Sequence, residues 1–409
     1  MISSRRSAAA IGLALAGGGP SGSIYEIGAV RALDEAIDGL DLNDLAIYVG
    51  VSAGAFITSC LANELSTAQL CRAIVKDEPG EHPFVPENFL TPAFGHFVKS
   101  GMKVPRLLAE AFWDLARKPA DTSFLEPLTR LARALPVGLF DNDPIRAYLE
   151  KIFSIHGRTD DFRQLRRKLV VVATDLDSGR PVRFGEPGLD HVPISTAVQA
   201  STALPGLYPP VLIDGRAYVD GVLLKTVHAS VALEAGAGLV LCVNPIVPVD
   251  TIRSVDLGVM RRGQLADRGL PAVLAQTFRT LVHSRMGAGM AAYETRYADR
   301  DVLVFEPRRD DYEMFFSNVF SFANRKAMCE HAYHSTLRKL WRNRRRIEPV
   351  LERHGLHLRN DVLEDEHRDL WQSVELQSRR RRLPPSHVKD RLDKVLAQIE
   401  AMVTDAGST

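Results

Sequence analysis

Two glycine turns, each fed by an apolar strand and running into an apolar helix, fill the first 54 residues. The first is Gly17-Gly18-Gly19-Pro20-Ser21-Gly22, after Ile11, Leu13 and Leu15. The second is Gly50-Val51-Ser52-Ala53-Gly54, after the run Leu45-Ala46-Ile47-Tyr48-Val49. A strand that ends in glycines and turns at once into a helix is the repeating unit of a parallel α/β sheet. The first helix is expected from near Ser23, with Ile24, Ile27, Val30, Ala32 and Leu33 on its apolar face. The second runs through Phe56, Ile57 and Leu61. Later strands are expected at Leu169 to Ala173, at Ala217-Tyr218-Val219 just before Asp220, and at Leu239 to Val243, with a helix around Val227 to Leu233 between the last two.

The 409 residues are 45% hydrophobic, enough for a large core, and the length fits one big domain or one domain with extensions. A formal net charge of +1 gives no global field for nucleic acid, and none is expected as a partner. Cys60, Cys71, Cys242 and Cys329 stand singly, without metal or disulfide spacing, so no metal and no cofactor is expected. No apolar run reaches the roughly 18–20 residues of a membrane-spanning helix. Arg5 and Arg6 followed by Ala8 to Ala16 imitate a signal peptide, but the same stretch reads better as a buried strand feeding the first turn. A cytoplasmic protein, peripheral at a membrane, is the expectation.

The α/β rhythm breaks between residues 78 and 167. Phe84, Phe89, Phe94 and Phe97 alternate there with Pro83, Pro86, Pro92 and Gly95, and an amphipathic helix follows with Val104, Leu107, Leu108, Ala111, Phe112 and Leu115 on one face. This insertion either packs on the core or caps an acyl-chain pocket. After Pro248 the pattern reads as helical: Leu270, Val273, Leu274, Phe278, Leu281 and Val282 form one stripe, and Val388, Leu392, Val395, Leu396, Ile399 and Val403 another. The arginine clusters Arg344 to Arg346 and Arg379 to Arg382 are either solvated faces or contacts for anionic lipid headgroups. Residues 1–12 form an N-terminal segment, 236–345 the end of the core with a helical extension, and 346–409 a charged helical tail.

Glycines at a strand-to-helix junction let backbone N–H groups face outward beside a helix N-terminus, where negative charge is favoured. The first turn therefore suits either a phosphate or the oxyanion of an acyl-transfer intermediate. It also fits Gly-x-Gly-x-x-Gly, yet the second strand runs into Gly50-Val51-Ser52 where a dinucleotide fold would place an acidic residue. In the second turn Ser52 has small residues two positions to either side, the requirement of a nucleophile elbow. A serine hydroxyl needs a base. His228 and His283 follow Asp220 in the order of an α/β-hydrolase, but the glycine turn lies too early for that fold, and His228 reads as an ordinary structural histidine.

Two further segments complete the pattern: Gln199-Ala200-Ser201-Thr202-Ala203-Leu204-Pro205-Gly206, and Tyr218-Val219-Asp220-Gly221-Val222. With the two turns, in this order, they resemble the patatin-like phospholipase family over residues 13 to 235. Ala173-Thr174-Asp175-Leu176, with Gly179 before Val182, is similar to that family as well. The resemblance implies a three-layer α/β/α fold with a mainly parallel central sheet and, here, a helical C-terminal extension. It implies a Ser–Asp dyad without a histidine: Ser52 as nucleophile, Asp220 as proton acceptor, and the N–H groups of Gly17, Gly18 and Gly19 as oxyanion hole. Gly22, Gly50, Gly54 and Gly221 are the remaining motif glycines. The implied activity is hydrolysis of lipid acyl esters through an acyl-enzyme, on a lipid or membrane-surface substrate approached through amphipathic helices. Two features depart from the family pattern: Ser21 stands where Lys or Arg is common, and Val222 where a small residue is usual. They motivate the alternative of a non-catalytic lipid-binding or scaffold protein; a nucleotide-binding oxidoreductase is the third reading.

Overall fold

The computed structural model describes residues 10–75, 91–92, 137–256, 258, 261, 263–311, 314 and 322–380. The expected apolar helix at 104–115 and the last stripe at 388–403 lie outside them. One compact unit spans Met1–Glu366; a second, His367–Thr409, contains the helix Leu370–Arg380.

The first unit is built on β1 (Ile11–Leu15), α1 (Gly19–Ala36), β2 (Ile47–Val51), α2 (Ala53–Ala62), α3 (Asp143–Phe153), β3 (Lys168–Asp175), β4 (Pro181–Phe184), α4 (Ile194–Ser201), β5 (Val211–Ile213), β6 (Arg216–Asp220), α5 (Ala229–Glu234), β7 (Leu239–Val243), α6 (Leu270–Arg296), β8 (Asp301–Phe305), α7 (Phe322–Arg342) and α8 (Arg344–Glu352). Its sheet runs β8-β7-β1-β2-β3-β6-β5, with β4 also paired to β3. The five strands from β8 to β3 are parallel, and β4, β6 and β5 join by antiparallel pairing.

Burial on both faces explains the near-continuous apolar runs of the central strands. Ala14 and Ala16, Ile47, Val49 and Val51, Val170 and Val172, and Val240 and Cys242 cluster on one side with residues of α5 and with Val282 of α6. Side chains of alternate register, such as Leu13, Leu15, Tyr48 and Leu241, are buried on the other side. There α1 and α2 pack on the strands, and α7 packs on α1. The fold is the expected α/β architecture with helices on both sides.

Three details differ from the sequence reading. Helix α1 starts at Gly19, before Ser23, because Pro20 sits in the first turn, where its fixed φ and missing N–H cost nothing. Strand β2 extends through Gly50 and Val51, so Ser52 follows the sheet directly. The chain beyond Pro248 is not wholly helical: Asp301 to Phe305 form the parallel edge strand β8, registered on β7 from Leu239↔Asp301 to Val243↔Phe305. A short antiparallel pair, Ile37–Asp38 with His357–Leu358, ties the later chain back to the end of α1.

Candidate active site

The sheet register itself brings the two expected reactive residues together. One edge of β3 is shared by two strands that arrive from opposite directions. Val51, the last residue of β2, pairs with Val172, and Asp220, the last residue of β6, pairs with the next residue, Ala173. Strand β4 holds the other edge at the same positions. The ends of β2 and β6 therefore meet, and Ser52 leaves the first of them beside Asp220.

Ser52 adopts φ 53° and ψ −123°, a left-handed conformation that a non-glycine residue takes only when its surroundings impose it. Three contacts impose it here. The Ser52 N–H donates to Ser201 Oγ at 2.8 Å, and Ser201 Oγ donates to the Val172 carbonyl at 2.6 Å. The Gly54 N–H donates to the Ala16 carbonyl at 2.9 Å, binding the elbow to the end of β1. A Cβ on Gly54 would stand 2.4 Å from that carbonyl oxygen, so only glycine allows the approach. Helix α2 begins at Ala53, and Ser52 takes its N-cap position.

Asp220 is 1% exposed. Its backbone is held by Asp220 N–H to the Ala203 carbonyl at 3.0 Å and by Thr174 Oγ to the Asp220 carbonyl at 3.1 Å. The Val222 N–H donates to Oδ1 of the carboxylate at 2.9 Å. Burial pushes the Asp220 pKa up to about 7, with the Val222 N–H and then the Ser52 hydroxyl partly restoring the charged form. The hydroxyl and the carboxylate thus influence one another, although no hydrogen bond of 3.5 Å or less with favourable angles joins them. Catalytic hydrogen bonds often tighten only when substrate engages. A carboxyl group with its midpoint near neutrality is suited to take and return a proton.

Gly17 lies at the centre of this contact. A Cβ there would come within 3.0 Å of Ser52 Cβ and 3.3 Å of Val222 Cγ2. Val222, one of the two departures from the family pattern, is buried against that glycine. Gly18 is backed by Pro245, and Gly19, at φ +61°, opens the first turn of α1 outward. Among the described residues neither Gly17 nor Gly18 gives its N–H to a protein acceptor, and the Gly19 N–H belongs to the unbonded first turn of α1. Gly22 donates to the Gly18 carbonyl at 3.0 Å and closes the turn. Gly50 is pressed against α2, where a Cβ would meet Ala55 Cα at 2.4 Å, and Gly221 against β3, where it would meet the Val172 carbonyl oxygen at 2.4 Å.

His228, weighed as a base, lies near the site but not between its members. Its Nε2 is 3.5 Å from the Gly221 carbonyl oxygen, and burial lowers its pKa to about 4, leaving it neutral. His283 instead accepts from Arg309 at 2.7 Å. The sequence reading assigned no role to three residues that the structure brings to the site: Ser201, Thr174 and Glu26. Glu26 of α1 is fully buried next to Ala16, and neither carboxyl oxygen has a hydrogen-bond partner among the described residues. Ser201 and Thr174 lay inside recognised segments, so a signal existed; Glu26 gave none. Among the described residues no group of His, Cys, Asp or Glu side chains is arranged to hold a metal ion, and no helix is long and apolar enough to cross a membrane.

A profile of the patatin-like phospholipases matches residues 13–233. An uncharacterized protein of Acanthamoeba polyphaga mimivirus is 24% identical over 212 residues, covering 51% of this chain and 57% of that protein, so the chain spans little more than half of its relative's length. Among solved structures, VipD from Legionella pneumophila aligns with a TM-score of 0.39 at 16% identity, over 82% of this chain and 67% of the other. The type III effector ExoU of Pseudomonas aeruginosa aligns at 0.32 and 15%, over 82% and 53%. Human GIVD cytosolic phospholipase A2 aligns at 0.25 and 12%, over 63% and 44%.

Proposed function

Since the chain belongs to the patatin-like phospholipase family, we propose that it is a serine acyl hydrolase that cleaves lipid acyl esters with Ser52 and Asp220. Ser52 Oγ attacks the ester carbonyl while its proton passes to the Asp220 carboxylate. The oxyanion that forms is received by the N–H groups of Gly17, Gly18 and Gly19; one such donor is typically worth about 10²–10³ in rate. Collapse expels the alcohol, which takes the proton from Asp220, and leaves the acyl group on Ser52. Water then attacks the acyl-enzyme, giving its proton to Asp220, and release of the fatty acid returns that proton to Ser52.

The observation that carries this reading is the meeting of a strained serine at the end of β2 with a buried carboxyl group, poised near neutrality, at the end of β6. Purified protein is expected to react with a fluorophosphonate probe and to release fatty acid from phospholipid vesicles, both abolished by Ser52→Ala. Labelling or turnover that survived Ser52→Ala would refute the assignment.

Peripheral contact with a membrane is part of the proposal, and α6 supports it. Of its expected apolar stripe, Val282 is buried and Phe278 packs on the core, but Leu270 is 69% exposed, Leu274 57% and Leu281 62%. An outward row of leucines beside a lipase site suits insertion at the acyl–headgroup boundary.

A further inference from the structure

Asn142 stands at the N-cap of α3 but does not cap it. An asparagine there ordinarily turns its side chain onto the N–H groups of its own first turn, which are otherwise unbonded. The Asn142 amide goes instead to another helix. Its Nδ2 donates to the Gln199 carbonyl at 3.0 Å, and its Oδ1 accepts from Gln199 Nε2 at 3.2 Å. Gln199 Nε2 also donates to Asp143 Oδ1 at 2.6 Å. Asn142 is 1% exposed and Gln199 7%, so the pairing forms out of water, where a member left unpaired is costly.

Gln199 lies in the last turn of α4, two residues before Ser201. The carbonyls of a last turn have no partner within their helix. That of Gln199 takes Asn142 Nδ2, the Thr202 N–H at 3.2 Å and Thr202 Oγ1 at 2.9 Å. The other end of α4 is fixed as well, where Asp160 accepts from the Ser195 N–H at 2.7 Å and from Ser195 Oγ at 2.6 Å. A helix clamped at both ends can keep one hydroxyl in one place. Ser201 Oγ is that hydroxyl: it accepts from the Ser52 N–H at 2.8 Å and donates to the Val172 carbonyl at 2.6 Å. Ser52 needs such restraint, because its φ of 53° relaxes unless its surroundings oppose it. Side-chain hydrogen bonds and the last turn of α4 thus connect Asn142 to the N–H of the serine itself.

We infer that Asn142 is a positioning residue for the Ser52 nucleophile, acting through Gln199 and Ser201 to hold the elbow in its reactive conformation. This role rests on the acyl hydrolase reading and extends it to a residue away from the reacting atoms.

The test compares the full chain with Asn142→Ala, Ser201→Ala and the double variant by the rate of fluorophosphonate labelling. Asn142→Ala is expected to slow labelling roughly three- to tenfold on its own but less than about twofold in the Ser201→Ala background, because residues of one network couple while independent ones add. On a p-nitrophenyl ester the loss should fall on kcat, with KM unchanged. The same loss in both backgrounds, or no loss, would overturn the role, since a general weakening of the fold does not depend on Ser201. Hydrogen exchange supplies a reading that needs no turnover: exchange at the Ser52 N–H should quicken in Asn142→Ala while that of β7 stays at the wild-type rate. That result in a chain whose wild type never labels upholds the positioning and counts against the hydrolase reading alone. Exchange at Ser52 left unchanged, or quickened in β7 to the same degree, would overturn the positioning. Should Asn142→Ala not fold, Gln199→Met removes the same side-chain pairing at nearly constant length and is read by the same outcomes.

Discussion

Replacing Asp220 by Asn should make the protein more stable while silencing it, and the gain should depend on pH in a defined way. The Asp220 pKa rises from an ordinary 3.8 to about 7 through burial. At about 1.4 kcal/mol per unit, this shift of about three units corresponds to roughly 4 kcal/mol. Below pH 3.8 both folded and unfolded states hold the proton, and the aspartate costs nothing through this route. Between 3.8 and about 7 the unfolded chain releases the proton while the folded one retains it, so wild-type stability falls as pH rises. Above about 7 both states are ionised and the full penalty remains. Asparagine cannot ionise, yet its side-chain oxygen can still accept from the Val222 N–H, which preserves the one firm hydrogen bond of the group. Urea unfolding of wild type and Asp220→Asn from about pH 4 to about pH 8 should show the variant's advantage growing by about 1.4 kcal/mol per unit and levelling at roughly 4 kcal/mol. An advantage that ignored pH, or a variant less stable than wild type at pH 8, would refute the reasoning. The same ionisation should shape catalysis: kcat/KM of wild type is expected to climb from acid pH with a midpoint near 7, because a base works deprotonated.

Ser201→Ala strips the partner from the buried Ser52 N–H and the donor from the Val172 carbonyl, each worth about 1–3 kcal/mol; fluorophosphonate labelling should slow at least tenfold, alongside a lower melting temperature. Gly54→Ala forces a methyl to 2.4 Å from the Ala16 carbonyl oxygen, a backbone atom, and should destroy soluble expression or the cooperative melt seen by circular dichroism. Burial raises the Glu26 pKa well above its ordinary 4.5, opposed in part by the nearby Ala16 N–H, whose hydrogen bond goes to the Val243 carbonyl at 3.1 Å. As a raised acid, Glu26 should cost stability increasingly as pH rises above 4.5, so Glu26→Gln should flatten the fall of melting temperature with rising pH above that point, as scanning calorimetry would reveal.

Much of this site was legible because its determinants are local. A turn needs its glycines wherever the rest of the chain goes, and Ser52 and Asp220 each sit inside a short segment of recognisable chemistry. The geometry that joins them was not local. Ser201 acts on a backbone N–H 149 positions away, and its hydroxyl looks the same in sequence whether it faces water or an elbow. Glu26 is one carboxylate among many until its helix is laid against β1. Periodicity showed that Leu270, Val273, Leu274, Phe278, Leu281 and Val282 share a helix stripe, but what covers such a stripe depends on neighbours, and most of this one faces outward. A helical reading absorbs strand β8 because four apolar residues, Val302 to Phe305, between two helices have too few periods to distinguish the two states.

The head-on meeting of two strands on one edge of β3 has a bearing on how such a chain is made. The ribosome delivers the serine early and the carboxylate much later, by way of a hairpin that must reverse direction and slot in beside Ala173. In the proposed mechanism the elbow has no base until that hairpin arrives, so a half-made chain would leave lipid untouched. On that mechanism, activity toward lipid would begin only when the sheet closes, and the pairing that completes the architecture would also arm it.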